Sequence, residues 1–160
     1  MTDQVTPAGS PLAPARPGID PRGPRFTAAI TLVVFAVALA LSDAAPTAAA
    51  VITGVQAVLF AIGAILGVQK TPTGLLFRTV VRPRLAPPAD LEDPTPPRFA
   101  QAVGFVFAVV ATIGFATGAI LLGQVAAAFA FVAAFLNAVF AFCLGCEMYL
   151  LGLRLTRRAA

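Results

Sequence analysis

The stretch Ala48–Val68, AAAVITGVQAVLFAIGAILGV, decides the fold: it carries no charge, and Thr53 and Gln56 are its only polar side chains. At about 1.5 Å of rise per residue it crosses a hydrocarbon core of about 30 Å. Three further apolar runs accompany it, Phe26–Leu41, Phe99–Leu122 and Val125–Leu153. The first reaches full length only when extended through Ala45, which sets Asp43 at the far interface, where a carboxylate stays hydrated. Pro46 is placed to open the second helix, and Gly123-Gln124 to turn the chain between the third and fourth. The expected fold is all-α, a four-helix transmembrane bundle built of two helical hairpins.

Composition agrees. Hydrophobic residues make up 59% of the 160 positions and charged residues 11%, too few charges to clothe a water-soluble domain. There is no histidine and no tryptophan, which excludes a Ser/His/Asp triad, a mixed Cys/His zinc site and a histidine-ligated haem within this chain. The net charge of +4 comes from arginines at the ends of apolar runs. That pattern sets membrane orientation and implies no nucleic-acid partner.

All 11 Lys and Arg fall in the N-terminal segment, the central connection, the helix ends facing them, or the C-terminal Arg154, Arg157 and Arg158. Counting basic residues alone puts both termini and the loop 69–98 in the cytoplasm, in a multi-pass protein of the plasma membrane. Residues 1–24, rich in Pro, Ala and Gly, are expected to form a disordered tail with no secretory h-region. Residues 25–158 form the membrane domain. Within the loop, Gly74–Arg82 alternates apolar bulk with arginine as an interfacial helix would, and the prolines from Pro87 to Pro97 favour an extended strap.

The chain repeats itself. Pro24-Arg25-Phe26 recurs as Pro97-Arg98-Phe99 at the start of an apolar run, and Val55-Gln56-Ala57-Val58 has a counterpart in Leu136-Asn137-Ala138-Val139. Two hairpins of one topology would be related by an axis along the membrane normal.

The residues able to do chemistry are few. The only cysteines are Cys143 and Cys146, in Phe142-Cys143-Leu144-Gly145-Cys146-Glu147 within the fourth run. Cysteines three apart on a helix share a face and can hold a disulfide, a soft metal or a sulfane sulfur; packing as small apolar groups is the alternative. A zinc ribbon needs a second pair, which a homodimer would have to supply. Glu147 reads as the one acid well inside a span, where a carboxylate needs a partner, and Arg25 or Arg98 is expected to reach it. Gln56 and Asn137 are amides deep in spans two and four, suited to helix-to-helix hydrogen bonds or to a polar path. Gly63/Gly67 and Gly114/Gly118 suit close helix contact.

The segments Leu91–Gly104, Ile19–Phe26 and Phe142–Glu147 resemble a family of small four-span bacterial membrane proteins known as a domain of unknown function. The resemblance covers nearly everything after the tail. Members are commonly encoded near rhodanese-type sulfurtransferases and thioredoxin-like proteins, which implies sulfur handling or thiol redox. The leading expectation is therefore a membrane component in which Cys143, Cys146 and Glu147 exchange sulfur or a disulfide with a cytoplasmic rhodanese-type or thioredoxin-like partner. The alternatives are a homo-oligomeric transporter of a small sulfur anion lined by Gln56 and Asn137, and a structural subunit. Beyond the lipid bilayer, the sequence fixes neither an oligomeric state nor a cofactor.

Overall fold

A computed structural model describes residues 18–159 of the chain. Four helices are long and apolar enough to cross a membrane: α1 (Arg22–Leu41), α2 (Pro46–Leu66), α4 (Thr95–Thr117) and α5 (Ile120–Phe140). Two shorter ones, α3 (Pro72–Leu76) and α6 (Leu144–Ala159), follow α2 and α5. The protein is a multi-pass membrane protein, and its described residues form no strand beyond one isolated bridge.

Helix α1 gains its length at its start rather than through Ala45. Asp20 accepts the Arg22 amide and side chain, so the helix begins at Arg22 and residues 18–24 are ordered; Ile19 is buried. The tail expected over residues 1–17 lies outside the described residues. Pro46 occupies the first turn of α2, as its missing N–H allows.

The expected turn at Gly123-Gln124 is displaced. Helix α4 ends where Gly118 adopts a left-handed φ of 80°, and α5 starts at Ile120. Gly123 instead sits inside α5 against Gly114, where a Cβ on Gly114 would lie 2.4 Å from the Gly123 amide nitrogen. Gln124 donates to Ser42 and Asp43 at the α1–α2 turn, tying the two hairpins together at the end of the bundle that lacks basic residues.

The four spans form a ring in which α2 packs on α4 and α1 on α5, so each hairpin is embraced by the other. Without a hydrophobic driving force between helices in lipid, close approach of small residues does this work. Ala49, Ala57, Ala108 and Ala111 are buried between α2 and α4, and Gly104 makes room for Phe60. Phe60 stacks on the fully buried Phe35 at 6.4 Å. Thr112 donates to Thr53 at 3.0 Å, and Gln56 to Thr31 at 3.4 Å. Gln56 is thus helix glue between α2 and α1. The outward side chains Val33, Val51, Ile65, Leu121 and Phe129 are exposed, as a lipid-facing surface requires.

Candidate functional site

The fourth apolar run is not one helix. Helix α5 stops at Phe140, and Ala141 takes a left-handed φ of 57° while its N–H bonds the Asn137 carbonyl and the Phe142 N–H bonds that of Leu136. The Ala141–Asn137 bond is that of an αL helix ending, here carried by alanine where glycine is usual. The thiols therefore lie beyond the last span, at the head of the amphipathic α6. Local hydropathy hid the break because no Gly or Pro marks it.

Cys143 caps α6. Its carbonyl accepts the first helical bond, from Glu147 N–H at 3.0 Å, and its Sγ accepts the Cys146 N–H at 3.3 Å. The two sulfurs are joined as a disulfide, with Cα atoms 5.2 Å apart. Gly145, between them, is pressed on Ala100 of α4, where an added Cβ would come within 2.6 Å of the backbone. One turn further, Tyr149 packs on Phe99 with ring centroids 5.7 Å apart.

Glu147 differs from its expected setting. It is exposed on the first turn of α6, outside the spans, and neither arginine pairs with it. Arg25 donates instead to the Ala138 carbonyl near the end of α5, at 3.4 Å. Arg98 donates to the Ala64 and Ile65 carbonyls at the end of α2. A cation beside the free carbonyls of a helix end is favoured by both hydrogen bonding and the helix dipole. Among the described residues the one ion pair is Asp20 with Arg22, and those hydrogen bonds hold the Asp20 carboxyl below its ordinary range.

These arginine contacts are equivalent, and so is much else. Counting α1 and α4 from their first residues, Arg25 matches Arg98, and each reaches the last turn of the other hairpin's second helix. Phe26 meets Phe77 at 5.8 Å, as Phe99 meets Tyr149 at 5.7 Å. Asp20 accepts the Arg22 N–H at 3.0 Å; Asp93 accepts the Thr95 N–H at 2.8 Å. Ile19 and Glu92, at matching positions, exchange both backbone hydrogen bonds at 2.9 Å, as residues facing each other across a twofold axis must. The sequence signal for this is longer than Pro-Arg-Phe. Asp20-Pro21-Arg22-Gly23-Pro24-Arg25-Phe26 aligns with Asp93-Pro94-Thr95-Pro96-Pro97-Arg98-Phe99. The Gln56/Asn137 match, by contrast, is out of register with it.

The equivalence identifies what occupies the cysteine positions in the other half. Thr71 caps α3 and its hydroxyl accepts the Gly74 N–H at 3.0 Å, so Thr71 corresponds to Cys143 and Gly74 to Cys146. Thr71 is buried and bonds Thr73, which accepts from Thr27. At the positions of Thr27 and Thr73 the second half has Ala100 and Gly145. Its thiol end opens on a cavity of about 250 Å³ whose walls include Cys143, Asn137, Met148 and Gln101, the last a residue that the sequence did not single out.

Among the described residues no group of three or more Cys, Asp or Glu side chains could hold a metal ion. No curated protein and no solved structure matches the chain significantly. The family described as Domain of unknown function (DUF4395) matches residues 19–154, from the Ile19 bridge to the arginines of α6, and the chain belongs to that family.

Proposed function

We propose that this protein is a thiol–disulfide exchange component of a bacterial plasma membrane, with both termini and the Cys143/Cys146 pair on the cytoplasmic side. The observation that carries the reading is the exchange of Thr71 for Cys143 at equivalent caps. Threonine is the better helix cap, and thiols are weak hydrogen-bond acceptors, so capping alone does not call for cysteine. What cysteine adds is reactivity. The unpaired amides at the start of α6 favour a negative sulfur there, which is how a reduced Cys143 would be held ready as thiolate.

The basic residues support the orientation. Every described Lys and Arg lies at the end of the bundle where α1 and α4 begin, the same end as the thiols. In a reducing compartment a disulfide at such a site is a working state rather than a structural staple.

The exchange runs as follows. The Cys143 thiolate attacks one sulfur of a partner disulfide, and the partner's other sulfur leaves as a thiolate and takes a proton. Cys146, losing its proton to the adjacent Glu147 carboxylate or to water, then attacks Cys143 and releases the second partner thiol. One disulfide and two thiols exchange places with no net gain of electrons. A cytoplasmic thioredoxin-like protein in its disulfide form is the partner class that the family resemblance supplies, with a rhodanese-type protein as the alternative.

The test is a redox titration of the purified protein in nanodiscs, scored by maleimide mass-tagging. The expected result is a reversible two-electron transition between about −120 and −270 mV. A pair that cannot be reduced or reoxidised in that range would remove the reading. A small-anion path finds no support in the cavity, whose lining contains no cation.

A further inference from the structure

The cavity beside Cys143 has three properties that together define an occupant. Its lining includes no charged side chain. Its polar groups are two hydroxyls, Thr27 and Thr31, that are engaged with Thr73 and Gln56, and two amides, Gln101 and Asn137, that make no side-chain hydrogen bond within the described residues. Its wall includes Phe129 of the last span and Met148 of α6, exposed at 61% and 54%.

Each property removes a class of ligand. A sulfur oxyanion or a charged peptide thiol would be buried without a counter-ion, which is costly in an apolar setting. A lipid acyl chain would fill the volume but leave both amides without partners at the edge of the hydrocarbon, where an unmet polar group also costs free energy. A neutral molecule with one or two hydrogen-bonding oxygens on an apolar frame satisfies the walls and the amides together. In the other half Thr27, Thr71 and Thr73 bond one another through their hydroxyls. Ala100 and Gly145 provide no such hydroxyls.

We propose that this cavity binds a neutral, lipid-soluble carbonyl or hydroxyl compound that enters from the bilayer past Phe129 and Met148 and comes to rest against Cys143. Asn137 and Gln101 hold its oxygen. The role of Cys143 as reacting atom rests on the thiol-exchange reading; the binding itself does not, and the experiment separates the two.

The probe is benzophenone, neutral and carrying a single carbonyl, photoactivated with the protein in nanodiscs and mapped by mass spectrometry. It is applied first to the Cys143→Ser, Cys146→Ser protein. Saturable adducts on Met148 and its neighbours are expected there, reduced about tenfold by Ala133→Phe, since Ala133 lines the cavity and a ring there would fill it. Benzophenone-4-carboxylate should compete at least about tenfold less well, and so should diphenylmethane, which has the shape without the oxygen. Asn137→Leu keeps the bulk and removes one amide, and is expected to weaken benzophenone while leaving diphenylmethane unchanged. That variant decides the matter if Ala133→Phe does not fold. Adducts scattered over lipid-facing residues without saturation, equal competition by the carboxylate, or equal competition by diphenylmethane would each overturn the proposal. Site-specific labelling of the cysteine-free protein together with a failed redox titration would leave the cavity standing and remove the thiol reading alone.

Discussion

The two halves of this bundle share a scaffold and differ in what fills one end of it. In the first, Thr71, Thr73 and Thr27 form a closed run of hydroxyls beneath a five-residue helix. In the second, Cys143, Gly145 and Ala100 stand in those places, beneath a helix of 16 residues that carries three arginines. The shared parts are those that position helices: the aspartate at the start, the arginine on a helix end, the aromatic pair. The differing parts are those with chemistry in them. Half of the molecule thus serves as an internal control for the other half.

The sharpest way to use that control is to convert one half into the other. Cys143→Thr with Cys146→Gly gives α6 the cap that α3 already has. Thiol exchange should vanish, while stability to denaturant changes by no more than about 1 kcal/mol, the scale of one cap. A loss of several kcal/mol would mean that the cysteines pack rather than react.

The arginines come next. Arg98→Ala removes two bonds to the end of α2 and Arg25→Ala one longer bond to the end of α5. The first should cost about 1–2 kcal/mol and the second about half as much, on the scale of charge-assisted hydrogen bonds at helix ends. Unfolding of each variant in mixed micelles measures both, and equal losses would break the asymmetry.

Ala141→Gly should stabilise the protein by about 1 kcal/mol, since the left-handed backbone there is strained for alanine and free for glycine. The first half already has glycine at the corresponding helix ending, Gly67 with φ of 96°. Thermal unfolding reads this directly, and destabilisation would show that the Ala141 methyl has a packing role.

The smallest effect concerns acid. The Asp20 carboxyl is held below its ordinary range chiefly by the Arg22 side chain. Its contribution is therefore complete above the ordinary carboxylate value of about 3.9 and disappears as pH falls through the depressed one. Asp20→Asn should cost a little stability at neutral pH, where that contribution is complete, and the variant and the parent should converge as pH falls below about 4. A difference between the two that grows as pH falls would contradict that sign.

The spans were legible in the sequence because lipid leaves the backbone one helical solution and hydropathy records it. Three errors have one cause. The turn at Gly118 rather than Gly123, the break at Ala141 and the exposure of Glu147 all arise where helix ends are set by backbone bonding, inside runs whose composition does not change. Glycine is ambiguous in such a run: Gly118 and Gly67 end helices, whereas Gly114 and Gly123 let two helices touch. The partner of each arginine was out of reach for a different reason, since a helix carbonyl has no signature in a list of side chains. The thiol pair was visible as chemistry, and its placement at a helix start came only from the fold.

The contact of Arg25 with Ala138 spans most of the chain, and the Ile19–Glu92 pairing joins the starts of its two halves. As the ribosome delivers this protein, α1 enters the bilayer long before α5 exists to receive its arginine. The first hairpin must therefore wait, inserted but unlatched, and assembly finishes only when the last span emerges and its end meets Arg25. The thiol pair follows that span by three residues, so it reaches its place at the moment the bundle closes.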